Sequence, residues 1–328
     1  MANLTALMVA RDQMLKSQEE RMRGVIYVSD QTHLSVAKGL RVLGFIDSQI
    51  RKVSSDSSFR MDVRGLKEAV EADRAAGRLP FVVVASCGTT NTGSVDPLDS
   101  IADLCVAQNL WMHVDGAYGA SVVLSSHAHL ASGLGRAHSL SWDAHKWLFQ
   151  TYGCGIVLVR DRKHLLASFA TDADYVRDAV ANDEAPNFWG LGIELTRPAR
   201  AMKLWFTMRV LGLEEIGRMI DHGVALGERA EEELRRLEGW EVLSGASLGI
   251  VVFRFVAEGK SEEELDELSI AISKRSLEEN IAGALTTKLG GKTVLRISAI
   301  SPELSLDGMS EVIRKMDEIA RSIVGLNV

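Results

Sequence analysis

Four short runs of continuous apolar residues, rich in β-branched side chains, punctuate the first two-thirds of the chain: VIYVSD (25–30), FVVVASC (81–87), WMHVDG (111–116) and CGIVLVR (154–160). Runs of this length that end in turn formers read as buried strands, and SLSWDA (139–144) is a weaker strand of the same kind. Amphipathic patterns fill the gaps. One helix runs from about Asp62 to Gly77, with Val63, Leu66 and Val70 on one face. A second is announced by Asp96-Pro97, a cap followed by proline at the first helical position, and runs to about Gln108. Strand–helix alternation of this type predicts an α/β fold, a mostly parallel sheet with helices on both faces.

The last third changes character. A long helical pattern spans roughly Glu214 to Glu238 and stops at Gly239, and two apolar strands follow near 240–244 and 248–256. Ser261 and Glu264 form a capping box that opens a helix carrying Leu265, Leu268 and Ile272. TVLRISAI (293–300) is another strand, and a final helix runs from about Leu306 to Val324. This α+β pattern predicts a large domain over 1–212 and a smaller one over 213–328. The longest loop-like region, about 167–190, holds Asp172, Asp174, Asp178, Asn182, Asp183 and Pro186. A loop of that length in a compact domain is usually functional or mobile.

The formal net charge of −7 argues against a nucleic-acid partner, and no apolar run is long enough to span a membrane. The N-terminal stretch turns charged too early for a secretory signal. Cys87, Cys105 and Cys154 are odd in number and suit neither a disulfide framework nor a zinc site, so a cytoplasmic location is expected.

Polar residues gather where the strands end, the edge at which open α/β sheets bind ligands. His33 follows the first strand, Thr89 and Thr90 the second; His113 and Asp115 close the third, and Asp143, His145 and Lys146 follow SLSW. Lys146 sits among apolar and aromatic neighbours, where loss of solvation would make an amine nucleophilic. A surface lysine at a strand end is the other reading its local sequence allows. Asp115 is costly to bury unless it meets a cation, such as a protonated pyridine nitrogen; a helix cap or a salt bridge would also satisfy it. His33 suits stacking on a flat ring or a place in a hydrogen-bonded core. The spacing of His113 with Asp115, or of His127 with His129, suits a metal, but no third ligand stands out and none is expected. A Gly-x-Ser-x-Gly hydrolase elbow is absent.

Together these residues resemble the group II pyridoxal-phosphate (PLP) amino-acid decarboxylases, the family of aromatic-amino-acid, histidine and glutamate decarboxylases. Ser139-Leu140, five residues, Lys146-Trp147-Leu148, then Tyr152, Cys154, Val157 and Arg160 follow the family signature. SDQTHLSVAKGLRVLGF (29–45), SCGTTNTGSVDPL (86–98) and WMHVDGAYG (111–119) are similar to family segments, in family order; RPARAMKLW (197–205) and VLRISAI (294–300) match more loosely. The resemblance implies an aspartate-aminotransferase-like fold (fold type I), with PLP bound to the large domain.

It also implies a role for each matching residue. Lys146 is the Schiff-base lysine, and Asp115 the partner of the pyridine nitrogen. His33 and Ala117 flank the ring, and Thr90 lies near its substituents. Asp143 and His145 help on the phosphate side, where the family often has asparagine at the first of these. Tyr175 matches the tyrosine of a mobile catalytic loop that usually reaches the partner subunit's site, which makes 167–190 a lid. The implied reaction is decarboxylation of an L-amino acid, by preference aromatic. Tyr175 would protonate Cα with His33 as helper, in a homodimer with its site at the interface.

MANLTALMVARD looks like the family segment that directly follows a Thr-Ser-Gly-Gly-Ser phosphate loop, so the resemblance implies that the N-terminal part of the large domain is lacking. Two other outcomes stay open. One is an aminotransferase or another PLP lyase on the same fold, with Arg296 as a carboxylate anchor. The other is an inactive truncated chain that acts only in association with a homologue.

Overall fold

The computed structural model describes residues 1–170 and 187–325. They fall into two compact units, Met1–Cys87, Val95–Ser121 and His129–Gly212 in one, Gly88–Ser94, Val122–Ala128 and Leu213–Val328 in the other. The excursions 88–94 and 122–128 therefore belong with the C-terminal third, which no single cut in the sequence represents. Among the described residues no helix is long and apolar enough to cross a membrane.

The first unit opens with α1 (Ala2–Met14) and α2 (Gln18–Arg23), then β1 (Gly24–Ser29), α3 (Leu34–Val42), β2 (Ile50–Val53), α4 (Val63–Ala75), β3 (Leu79–Ser86), α5 (Leu98–Ala107), β4 (Trp111–Asp115), β5 (Ser139–Asp143), β6 (Gly155–Val159) and α6 (Arg162–Phe169). The strands form one six-stranded sheet in the order β2-β1-β3-β4-β5-β6, parallel except for β6. Alternate residues of each strand serve opposite faces. Ile26, Val28, Val82 and Val84 pack with Leu7, Ala10, Val36 and Leu40 of α1 and α3. On the other side, Tyr27 donates its hydroxyl to Asp73 of α4 at 2.9 Å.

Three expectations need correction. CGIVLVR is a strand but not a buried one: β6 is a half-exposed antiparallel edge, because its apolar run has a neighbour on one side only. Asp96 does not cap α5, whose N-cap is Pro97. Its buried carboxylate instead accepts the backbone N–H groups of Met61 and Ser86, each at 2.7 Å. The stretch expected as loop from 167 begins inside α6.

The Asp96 arrangement carries a prediction. Burial pushes its carboxyl up to about 6, against the lowering effect of the two N–H donors. The folded chain then binds the extra proton, so this group's contribution to stability falls as pH rises from about 4 to about 6. Asp96→Ala should flatten that slope. It should also cost about 1–3 kcal/mol for each orphaned N–H, read by urea unfolding across that pH range.

The second unit holds most of α7 (Arg200–Arg236), then β7 (Trp240–Ser247), β8 (Ile250–Phe255), α8 (Glu262–Glu278), β9 (Leu285–Leu289), β10 (Lys292–Ser298) and α9 (Leu306–Val324). Helix α7 is two stretches joined at Gly212, whose φ of 79° lies in the left-handed region that glycine tolerates. The four strands form an antiparallel sheet, β7-β8-β10-β9, on which α8 and α9 bury Ile272, Ile313 and Met316 against Phe253 and Leu295. The capping box at Ser261 and Glu264 forms as expected.

Candidate active site

The C-terminal end of β4 lies beside the first three residues of β5, with His113 opposite Ser139 and Asp115 opposite Ser141. Residues two apart on a strand share a face, so this register gathers an imidazole, a carboxylate and two hydroxyls into one patch. Asp115 is buried, yet well supplied with donors. Its Oδ1 accepts Ser141 Oγ at 3.0 Å and the Ala117 backbone N–H at 3.2 Å, and its Oδ2 accepts Asn3 Nδ2 at 3.0 Å.

Beyond Asp143 the chain turns sharply. The backbone N–H of Asp143 donates to the Ala117 carbonyl at 3.1 Å, and that of Lys146 to the Asp143 carbonyl at 3.0 Å. The turn sends Ala144, Trp147 and Leu148 into the core, where the Trp147 ring stacks on Tyr118 at 4.7 Å. Lys146 is left facing outward. Its side chain is 39% exposed and its Nζ lies 3.0 Å from Asp143 Oδ2. The desolvated amine expected from its apolar neighbours is therefore not what this state holds: those neighbours turn inward while the amine sits in an ion pair. His145 is held by the segment that leads into β6, with Nδ1 3.0 Å from the Cys154 carbonyl and its ring against Tyr152 at 5.0 Å.

His33 ends the segment after β1 and caps α3, with Nδ1 2.8 Å from Ser35 Oγ. It is tied to the β4 patch through Ser35 and Asn3, since Asn3 Nδ2 also donates to Ser35 Oγ at 3.1 Å. The Asn3 side-chain oxygen meets His113 Nε2 at 2.9 Å, and His113 Nδ1 meets Ser139 Oγ at 2.9 Å. With both nitrogens used, His113 is not arranged as a metal ligand. Complete burial lowers it to about 4, outweighing the attraction of Asp115, so it is neutral at pH 7. His127 and His129 fall in different units. Among the described residues, no three His, Cys, Asp or Glu side chains form a metal cluster.

The structure thus brings His33, Asp115, Ala117, Asp143, His145 and Lys146 to one edge of one sheet. Thr90 belongs to the second unit, where its carbonyl accepts a hydrogen bond from Arg296 Nη1. Tyr175 lies outside the described residues. Sequence reasoning gave no role to Asn3, Ser35, Ser139 or Ser141. The period-two match of Ser139 and Ser141 to His113 and Asp115 was a usable signal for the two serines.

The site can be tested for fit to a pyridoxal group. A carboxylate offers about four acceptor positions, and three of those on Asp115 are taken, leaving one on Oδ2. A protonated ring nitrogen is the donor that suits a buried anion with a vacant lone pair. The neighbouring primary amine of Lys146 suits an aldehyde. His145 can donate to a phosphate oxygen, whereas Asp143 would repel one. Amine and carboxylate fit the group.

Comparison with known proteins agrees. Residues 1–256 match the family model described as the pyridoxal-dependent decarboxylase conserved domain. The chain is 40% identical to an aromatic-L-amino-acid decarboxylase of Bacillus atrophaeus over 98% of its own length and 68% of that protein's. It is 34% identical to an L-2,4-diaminobutyrate decarboxylase of Rhizobium meliloti (strain 1021), over 98% of its own length and 64% of that protein's. The crystal structure of Oryza sativa TDC with PLP and tryptamine superposes with a TM-score of 0.91 at 29% identity, covering 98% of this chain and 68% of that one. The chain therefore spans about two thirds of the length of the relatives it matches.

Proposed function

Because the chain belongs to the family of pyridoxal-dependent decarboxylases, with the fold type I architecture of those enzymes, we propose that it removes the carboxylate of an L-amino acid as CO2 and releases the amine. The observation that carries this reading is the buried Asp115 carboxylate, with one acceptor position vacant, beside the turn that presents Lys146. When bound, pyridoxal 5′-phosphate supplies an aldehyde that captures amines and a cationic ring that takes up the electron pair left at Cα.

Lys146 would hold the cofactor through its Nζ. Asp143 lies 3.0 Å from that Nζ and orients it; its own charge makes it the weaker candidate for the phosphate side, which we leave to His145. Asp115 keeps a proton on the ring nitrogen, because losing that proton would strand a buried anion. His33 and Ala117 flank the ring, and Thr90 serves its substituents. Tyr175 delivers the proton to Cα, with His33 as helper.

An aromatic substrate is favoured by the Bacillus relative, and a diamino acid by the Rhizobium one. The deciding assay supplies PLP with L-tryptophan, L-tyrosine, L-phenylalanine or L-2,4-diaminobutyrate and follows CO2 and keto acid. Stoichiometric CO2 and amine are expected. Keto acid without CO2 would make the chain an aminotransferase, and no visible cofactor absorbance would make it inactive alone.

A homodimer with its site at the interface is part of the same proposal. Met202, Trp205, Phe206 and Val210 form an exposed apolar stripe on the first stretch of α7, with Val210 79% exposed. Such a stripe supports burial against a second copy. Val210→Glu should shift the chain from dimer to monomer in light scattering; an unchanged mass would remove the stripe from the interface. The three free, buried cysteines support a cytoplasmic location.

A further inference from the structure

We infer that Asn3 is a positioning residue: its single amide fixes the direction of the hydrogen bonds that join Asp115 to His113 and to Ser35, the partner of His33. The inference rests on the cofactor reading above for its meaning, though not for its geometry.

Asn3 lies on α1, buried, with three polar neighbours at 2.9–3.1 Å. Its amide has two donors on nitrogen and an acceptor on oxygen. An ionised Asp115 only accepts, so the NH2 end must face it; turned round, oxygen would meet oxygen. The amide orientation is therefore set by the carboxylate. The Asn3 oxygen then faces His113 Nε2, and because that oxygen only accepts, the imidazole proton must sit on Nε2. His113 Nδ1 is left as an acceptor, filled by the Ser139 hydroxyl, whose own oxygen accepts the Trp111 indole N–H at 2.9 Å.

The second Asn3 N–H points at Ser35 Oγ, so the Ser35 hydroxyl proton is free to point at His33 Nδ1. The backbone N–H of Ser35 also points at His33 Nδ1, at 3.3 Å. Neutral His33 therefore carries its proton on Nε2, the nitrogen that Ser35 does not engage. The outcome is a polarised chain in which one side chain joins the ring-nitrogen partner to the ring-flanking imidazole, with the Ser35 backbone N–H reinforcing the His33 end. Each is set before any ligand arrives, so no reorganisation is needed at the moment of reaction.

Imidazole 15N–1H correlation spectra of the full chain without cofactor test this directly. His113 and neutral His33 should both show the Nε2–H pattern. A proton on Nδ1 of either ring would break the chain of donors and end the proposal. Asn3→Leu, with the same branching and number of side-chain heavy atoms, removes both donors and the acceptor. It should convert the His113 signal to a mixture of tautomers, shift the pH titration of the bound cofactor's visible absorbance, and lower kcat about 10–100-fold, the size typical when the partners that orient a metal-bound imidazole are removed. KM should change little.

An Asn3→Leu chain that folds, keeps the wild-type His113 tautomer and keeps the cofactor titration would overturn the assignment. Asn3→Asp, which keeps the oxygen toward His113 but sets a second carboxylate against Asp115, should preserve the tautomer and still disturb the cofactor titration. A chain that fails to release CO2 leaves the tautomer measurement standing, so failure of the functional reading and failure of this one are separable.

Discussion

Lys146→Ala should yield a folded chain that no longer captures the cofactor covalently and turns over at least about 10³-fold more slowly, upwards of about 4 kcal/mol of barrier. Two features separate this loss from unfolding. The Lys146 side chain is 39% exposed, so its ion pair with Asp143 contributes at most about 1 kcal/mol to stability. The turn that presents it is held by backbone bonds and by buried Trp147, none of which the substitution touches. Lys146→Arg sharpens the test. It keeps the positive charge beside Asp143, but a guanidinium stays protonated and cannot attack an aldehyde. Borohydride reduction of the PLP-treated chain, followed by peptide mass mapping, should give a permanent adduct at Lys146 in the parent and none in either variant. An equal adduct on another lysine with turnover intact would reassign the nucleophile.

How much of this was legible depends on the distance over which each signal acts. β1, β3 and β4 declare themselves because a strand buried on both faces needs a continuous apolar run, and those runs are in the sequence. β6 has the same composition, yet half of it is open, since no residue within a run reports whether a neighbour covers it. β2 and β9 are short edge strands broken by Arg51, Lys52 and Lys288, which dilute the apolar pattern. For β9 a local cue existed. Gly290 and Gly291, both at positive φ, link Leu289 to its partner Lys292 in a two-residue hairpin. In the site, Lys146 and Asp115 could be read because chemistry and strand end coincide within a few residues. Asn3 could not, being 112 positions from the carboxylate it serves and beside a mostly apolar run, Leu4 to Ala10, in its helix. Nor could the sequence foresee that Trp147 would turn in and Lys146 out, because that depends on a turn closed by the Ala117 carbonyl.

Asp115→Asn probes the other half of the site and should be nearly as damaging, for a reason that can be divided in two. The structural part is small. An amide has one oxygen where the carboxylate has two. With that oxygen at the Oδ1 position, Ser141 and Ala117 keep their acceptor, but the new NH2 faces the NH2 of Asn3. With the amide flipped, it faces the Ala117 N–H instead. Either way a buried donor is orphaned, at about 1–3 kcal/mol of stability. The functional part is larger, because the amide carries no charge to hold a proton on the ring nitrogen. Removing one member of a buried charge pair costs about 3–5 kcal/mol, so kcat with saturating cofactor should fall about 10²–10⁴-fold. Urea unfolding on the same preparations measures the first part and steady-state kinetics the second. Asp115→Glu keeps the charge but displaces it by a methylene, and should recover part of kcat while gaining nothing in stability. If Asp115→Asn instead turned over within a few-fold of the parent, the carboxylate would be only a strap between β4, β5 and α1, and the ring nitrogen would need another partner.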